Sequence, residues 1–315
     1  MASLREELLN SPDFYVEEAC KKSRSLSRMS QYEEIEENLS YTFDNAIIQF
    51  FGSITFGLGH CNSDLDIFID LYGDDFFSDK NKKVDASRLQ EVERSLDDDD
   101  WEIKVLLRYA TVPLLKVKYL PLNLDCDIVV SNGLGVKNSQ FINHLFNIQP
   151  EARKLFHFVR MWIKSYKFNL KSYTLTLLVI FFLQNKNLMP TGERVQRYVE
   201  EEYIDGWNVS FDEDKNWNIT CYGTRKLRSY HIHLVDFFIF YKNFDYNYIM
   251  STFKGTSVLR EIYPFNSFKI DTPMCIAGPI NRGYNSSYNI GKSRLKKFIK
   301  ICSNAVVLLN EYDFY

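Results

Sequence analysis

At 315 residues, 45% of them hydrophobic and 25% charged, the chain is long enough for two domains with their own cores and too apolar to be disordered. Its formal net charge of −3 excludes nucleic-acid binding through overall charge, so any such surface must be a local basic one. Six cysteines (Cys20, Cys61, Cys126, Cys221, Cys275, Cys302) stand far apart without a Cys-x-x-Cys pair, which argues against a zinc site and a secreted disulfide framework and points to a reducing compartment.

The opening stretch, MASLREELLNSPDF, has neither an apolar signal core nor the acid-poor, Arg-rich character of a mitochondrial presequence. The longest apolar run, Leu175 to Leu183, is too short to span a bilayer, so no membrane partner is expected. A cytoplasmic location is expected, with a mitochondrial one as the alternative. Residues 3–40 mix apolar and charged positions at helical spacing, and Ser11-Pro12 marks a helix start; this predicts two helices over 1–40 that pack on the core and lead into the first strand.

The next stretch, QFFGSITFGLGHCNSDLDIFIDL (Gln49 to Leu71), organises the chain. An apolar lead-in of Ile47, Ile48, Phe50 and Phe51 reads as a strand that breaks at Gly52-Ser53, and a second strand opens with Asp64 and Asp66. Side chains alternate along a strand, so the two acids share one face while Leu65, Ile67 and Ile69 point into a core. Two carboxylates on one face of an apolar strand repel each other and lose hydration, a cost that a divalent cation such as Mg²⁺ (or Mn²⁺) removes. Gly52 lets the backbone approach closely, and exposed N–H groups with the Ser53 hydroxyl suit phosphate oxygens. A lone Asp-x-Asp also occurs as an acidic strand end facing water; the Gly-Ser turn eleven residues upstream of Asp64 favours the catalytic reading.

Beyond it, Asp74, Asp75 and Asp79 to Lys83 read as a polar loop, Ala86 to Leu96 as a helix, and the acidic run Asp97 to Asp100 as a solvated turn. Three strands follow, Glu102 to Tyr109, Leu114 to Tyr119 and Leu122 to Val130, the last with Asp125 and Asp127 on one face and Cys126 and Ile128 on the other. Composition changes at Ser131, which sets the expected domains: a catalytic domain over 41–131 and a helical domain over 132–315. Pro150 opens a helix with an apolar stripe (Phe156, Val159, Trp162, Ile163), on which Arg160 and Lys164 lie four apart as a phosphate-binding pair or a snorkelling basic face. Leu170 to Gln184 reads as a buried helix with Ser172-Tyr173 at its start; Tyr173 is a base platform or an ordinary core tyrosine. His231 and His233 form a His-x-His on a strand with no third ligand at usable spacing, so both read as structural. Near the end, Lys292, Arg294, Lys296, Lys297 and Lys300 make a basic helix that either tracks an RNA backbone or is simply solvated. No P-loop pattern is present.

Gly-Ser, a spacer and Asp-x-Asp together resemble the nucleotidyltransferase fold shared by poly(A) polymerases and terminal uridylyltransferases. CDIVVSN (Cys126 to Asn132) is similar to the family's C-D-I-x-x-x-N, which makes Asp127, and not Asp125, the third catalytic acid and metal ligand. VRMWIK (Val159 to Lys164) resembles the V-K/R-x-W-x-K segment that holds the β- and γ-phosphates, and Asn132 and Asn138 match positions near the ribose and the base. SYTLTLLVIFFLQ, IDGWNVSF and LVDFFIFYKNFDY resemble the helical central domain of noncanonical poly(A) polymerases, mitochondrial ones in particular, and the likeness covers roughly residues 45–300. Residues 278–297, starting at Gly278-Pro279, are similar to the loop that closes over the base. Uridylyl-specific members usually carry a histidine just before an Asn-Val-Gly-like triplet; here Tyr288 precedes Asn289-Ile290-Gly291.

The resemblance implies an α+β fold: a polymerase-β-like catalytic domain with a mixed sheet, plus a mainly helical, PAP-associated central domain. It implies template-independent addition of NMP from an NTP to an RNA 3' end, with an adenylyl preference and terminal uridylyl transfer as the close alternative. Asp64, Asp66 and Asp127 would hold Mg²⁺ while the RNA 3'-hydroxyl attacks the α-phosphate. Gly52, Ser53, Arg160, Lys164 and Ser172 would meet the phosphates, and Tyr173, Asn138 and Tyr288 the base. A cyclic-dinucleotide or oligoadenylate synthase and an inactive RNA-binding scaffold rank lower. The first strand begins by about residue 46, so the N-terminal RNA-binding-like domain of the mitochondrial members is not expected here.

Overall fold

The computed structural model describes residues 4–26, 31–79, 81–212 and 222–311. Three helices, not two, precede the first strand: α1 (Leu4–Asn10), α2 (Pro12–Leu26) and α3 (Gln31–Thr42). The added helix is α1, which stops ahead of the expected helix start at Ser11-Pro12, because Pro12 has no N–H to continue α1 yet suits the first position of α2.

The chain divides into two compact units, one built from 21–143 and 200–210, the other from 1–20, 144–199 and 211–315. The first unit holds a five-stranded sheet in the order β1-β2-β5-β4-β3, formed by β1 (Ile47–Phe51), β2 (Leu65–Asp70), β3 (Trp101–Leu107), β4 (Leu114–Tyr119) and β5 (Leu124–Val129). Only the β2–β5 pair is parallel, so the sheet is mixed, as expected. One face packs Leu65, Ile67, Ile69, Val117 and Ile128 against Ile35 and Leu39 of α3 and Leu89 and Val92 of α4 (Lys82–Ser95). Helix α4 starts a turn before the predicted Ala86, because the Asn81 side chain accepts from the N–H groups of Lys83 (3.2 Å) and Val84 (3.5 Å). The acidic run is a turn, and its last member is tied down: Asn38 Nδ2 donates to Asp100 Oδ2 (2.7 Å) while Asn38 Oδ1 accepts from Trp101 Nε1 (2.8 Å).

The division falls at 143/144 and not at 131, because the start of α5 (Leu134–Ile148) is bonded to the Gly52 turn after β1. The two-residue strands β6 (Tyr203–Ile204) and β7 (Trp207–Asn208) also belong to this unit; their tight turn uses Asp205 and Gly206 at positive φ (51° and 71°).

The second unit is mainly helical: α6 (Glu151–Ser165), α7 (Ser172–Asn185), α8 (Gly192–Gln196), α9 (Leu234–Asn243) and α10 (Lys292–Asn310). A small sheet of order β10-β8-β9 joins them, made of β8 (Tyr248–Ser251), β9 (Thr256–Leu259) and β10 (Ile276–Ala277). Every residue of α7 from Thr174 to Gln184 is buried, so truncating Leu178 to alanine would cost about 2–5 kcal/mol. Helix α1 packs against α6, with Arg5 4.1 Å over the Tyr166 ring. His231 to His233 form a short 3₁₀ turn and not a strand; His231 Nε2 bonds Asp13 Oδ1 (2.7 Å). Cys20, Cys61, Cys126, Cys275 and Cys302 are free thiols, and Cys221 lies outside the described residues. Among the described residues no helix is long and apolar enough to cross a membrane.

Candidate active site

Strand β1 ends in a turn that only glycine permits. Gly52 has φ +82°, and a Cβ there would lie 1.8 Å from Asp66 Oδ2, so the bare backbone presses directly on the acid. The turn closes on itself, with Gly52 O accepting from Thr55 Oγ1 (2.9 Å) and Ser53 O from Leu58 N (3.0 Å). The Gly52 N–H is not open to a phosphate: it donates to Ser139 Oγ (2.9 Å), whose hydroxyl donates to Gly135 O on α5 (2.9 Å). Of the expected phosphate-binding groups in this turn, the Gly52 amide is therefore structural. Ser139 escaped notice in the sequence because nothing marks a helix serine as a partner of a turn 87 residues earlier.

Asp64 immediately precedes β2 and is exposed, while Asp66 lies on the strand among Phe68 and Asp70, opposite the Leu65-Ile67-Ile69 face. Asp66 and Asp127 are aligned partners on the parallel strands β2 and β5. Burial first, then the negative charges of Asp127 and Asp64, push the Asp66 carboxyl up to about 7. Burial and Asp127 also raise Asp64. The counter-charge is Lys116, which sequence reasoning missed. It pairs with Asp127 across β4 and β5, donates to Asp127 Oδ1 (2.7 Å) and Oδ2 (2.9 Å), and reaches within 3.9 Å of Asp64 Oδ2. Burial disfavours its charge, but the hydrogen bond and charge of Asp127, with Asp64 and Asp66 beyond, outweigh that and hold the ammonium above the usual lysine range. The alternation of β4, with Leu115 and Val117 buried, puts Lys116 on the acids' face once the strand order is known.

Asp125 behaves as the outlying acid. It is exposed and hydrogen-bonded to Lys104, which lowers its carboxyl below the usual range. Hard oxygen donors from two neighbouring strands, one of them held toward protonation by the others, are a donor set that fits a divalent cation. The tightest carboxylate group among the described residues lies elsewhere, at Asp70, Asp74 and Asp75, within 4.8 Å of one another. Asp70 there caps the turn after β2, accepting from Gly73 N (2.8 Å) and Asp75 N (3.1 Å), and Asp75 bonds Arg88.

Asn132 is buried with its amide already engaged: Nδ2 donates to Asp205 Oδ2 (2.9 Å) and Ser78 O (3.4 Å), and Oδ1 accepts from Leu134 N (3.1 Å). A ribose contact would have to replace one of these bonds. Asn138 is half-buried on α5.

In the second unit, Arg160 on α6 is buried, with its guanidinium 5.4 Å from the Phe156 ring centre and Nη2 3.4 Å from His157 Nδ1, whereas Lys164 one turn later is exposed. Ser172 and Tyr173 open α7 and are half-buried. Tyr288 is exposed, with the ammonium groups of Lys171 and Lys269 4.8 and 4.9 Å from its ring centre and Tyr284 edge-on at 6.0 Å. The loop below it hangs on buried Asn285, whose Oδ1 accepts from Ile276 N and Ser287 N and whose Nδ2 donates to Lys269 O and Thr272 Oγ1. Of the basic positions on α10, Arg294 bonds Asn169 O and, like Lys297, lies over Phe168; all five are exposed.

Residues 10–146 match the family model "Poly(A) RNA polymerase, mitochondrial-like, central palm domain". The mitochondrial poly(A) RNA polymerase of Mus musculus is 24% identical over 311 residues, covering 89% of this chain and 51% of that protein. The speckle targeted PIP5K1A-regulated poly(A) polymerase of Danio rerio is 27% identical, covering 83% and 40%. The chain thus spans about half, or less, of the length of these curated relatives. Among solved structures, mtPAP in complex with ATPγS superposes with a TM-score of 0.75 at 22% identity, over 89% of this chain and 62% of that one. A Cid1 poly(U) polymerase mutant bound to MgATP superposes at 0.74 and 19% identity, over 99% and 97%. The chain shares the fold of these solved structures, and it is α+β as the resemblance implied.

Proposed function

We propose, on the premise that this fold is the one seen in noncanonical poly(A) polymerases and poly(U) polymerases, that the chain is a template-independent RNA 3'-terminal nucleotidyltransferase. One observation carries the reading: the Gly52 turn pressed onto Asp66, with Asp127 alongside it in register. A purely structural acidic pair gains nothing from such crowding, whereas a site for a cation and a triphosphate requires it. Magnesium bound at Asp64, Asp66 and Asp127 would supply Lewis-acid charge at the α-phosphate and activate the RNA 3'-hydroxyl. The chain's own groups do the rest. On the family resemblance, Arg160 and Lys164 neutralise the triphosphate while the Ser53 and Ser172 hydroxyls hydrogen-bond its oxygens, Tyr173 stacks on the incoming base, and pyrophosphate leaves; the acceleration is mostly positioning and charge stabilisation.

ATP is the proposed substrate, because Tyr288 stands where uridylyl-specific members usually carry histidine. UTP is the second reading, supported by the likeness to Cid1 and by human terminal uridylyltransferase 7, 26% identical over 191 residues. A cytoplasmic location is proposed from the sequence, and the mitochondrial relatives support the alternative. The deciding experiment is a labelled oligo(A) primer with Mg²⁺ and each NTP in turn. Extension by ATP is expected. Products formed without any primer would favour an oligonucleotide or cyclic-dinucleotide synthase, and no incorporation of any NTP would sink the enzymatic reading.

A further inference from the structure

A Cβ built on Gly278 would lie 2.6 Å from the Tyr173 hydroxyl oxygen but 3.8 Å from its Cζ. The space that any other residue would fill at 278 is therefore taken by one atom, the phenolic oxygen. Both backbones are tied by hydrogen bonds close by. Just before Gly278, the Ala277 carbonyl accepts from both Thr252 N (3.2 Å) and Thr252 Oγ1 (2.8 Å), and Ile276 N donates to Asn285 Oδ1 (3.1 Å). Just after it, the Pro279 carbonyl sits against Gly192, where a Cβ would come within 3.2 Å. On the other side, the residue following Tyr173 is pinned: buried Thr174 donates through Oγ1 to Ser286 O (2.8 Å). With both segments tied by these hydrogen bonds, the Tyr173 side chain is the part that yields most readily.

We propose that Gly278 is a positioning residue for Tyr173, its missing side chain fixing where that ring stands. The proposal rests on the reading of Tyr173 as the platform for the incoming base. A side chain at 278 swings the ring away from its stacking position, and stacking tolerates any base, so the penalty falls on every nucleotide alike.

Four proteins test it: wild type, Gly278→Ala, Tyr173→Phe and the double variant. In each, kcat and KM are measured for ATP and UTP, and Tm is measured without substrate. Gly278→Ala is expected to raise KM for both nucleotides on the order of ten-fold, with a smaller change in kcat. In the Tyr173→Phe background the hydroxyl is gone, and the 3.8 Å separation to Cζ is an ordinary contact. The double variant should then match Tyr173→Phe alone in KM, and Gly278→Ala should lower Tm only in the tyrosine background. Wild-type kinetics in Gly278→Ala, or the same loss in both backgrounds, overturns the proposal. Coupling in Tm without coupling in KM overturns it too and removes Tyr173 as the base platform. Absence of coupling in both measurements removes the positioning contact and leaves the base-platform reading standing.

Discussion

Asp66 on β2 and Asp127 on β5 are register partners on the only parallel pair of the sheet, so two carboxylates from distant parts of the sequence share one face of adjacent strands. Strands in this arrangement lie about 4.8 Å apart, close enough for the charges to act on each other and for a cation to answer both. Asparagine at Asp64, Asp66 or Asp127 keeps the shape and removes the charge. Each variant should lose at least about a hundred-fold in primer extension while retaining its Tm within a few degrees. Asp125→Asn is the control; its carboxylate is exposed and occupied by Lys104, so extension should stay near wild type. Near-normal activity in any of the first three variants would remove that acid from the site.

Lys116 offers a test of the site's charge that needs no substrate. Its ammonium bonds both oxygens of Asp127, which a divalent cation would also use. Lys116→Met should lower Tm in EDTA, because three carboxylates lose their counter-charge. It should also tighten Mg²⁺ binding, read by calorimetry, on the order of ten-fold, equivalent to about 1.4 kcal/mol. Unchanged Mg²⁺ affinity would mean that Lys116 does not compete for these oxygens.

Stability of the metal-free protein should fall as pH rises from about 4 to about 7. Asp66 titrates near 7 in the folded chain against a usual value of 3.8, so between these limits the native state keeps a proton that the unfolded chain has released. Deprotonation through pH 7 removes that contribution, and above pH 7 the curve should flatten. His233, lowered by burial, slopes the opposite way at its own end of the range, so the quantity to read is wild type minus Asp66→Asn in urea unfolding with EDTA. A difference curve that is flat from pH 4 to 7 would show that Asp66 ionises normally.

Much of this arrangement was legible because it is local. Alternation placed Asp66, Asp125 and Asp127 on strands and sorted inward from outward neighbours, with Asp64 one residue ahead of β2 and not on it, and Gly52-Ser53 marked the turn that ends β1. The gaps are long-range. Nothing near Lys116 announces that β4 will lie beside β5, and nothing near Ser139 announces that its hydroxyl will meet Gly52. Asn132 matched a family position, yet its burial beside Asp205 depends on a hairpin 73 residues later. The unit division at 143 was shifted for the same reason, since the change in composition at Ser131 precedes the contacts that hold the start of α5 to the Gly52 turn.

Base choice gives the last test. If Tyr173 is the base platform proposed above, stacking on it is worth roughly 1–3 kcal/mol and tolerates every base, so Tyr173→Ala should lower kcat/KM for ATP and UTP together, by about ten-fold or more. Discrimination must come from groups at the base edge, where a hydrogen bond made or left unpaired separates an amino group from a carbonyl. Tyr288 is the candidate proposed for this: its backbone N–H donates to Asn285 O (3.2 Å), and Lys171 and Lys269 flank its exposed ring. Replacing it with histidine removes the phenolic hydroxyl and offers an imidazole at the position that uridylyl-specific members use. Tyr288→His should therefore shift the ratio of kcat/KM on one primer toward UTP. An unchanged ratio would take Tyr288 out of base reading. A wild-type preference for UTP at the outset would reverse the adenylyl assignment while leaving the reaction class in place.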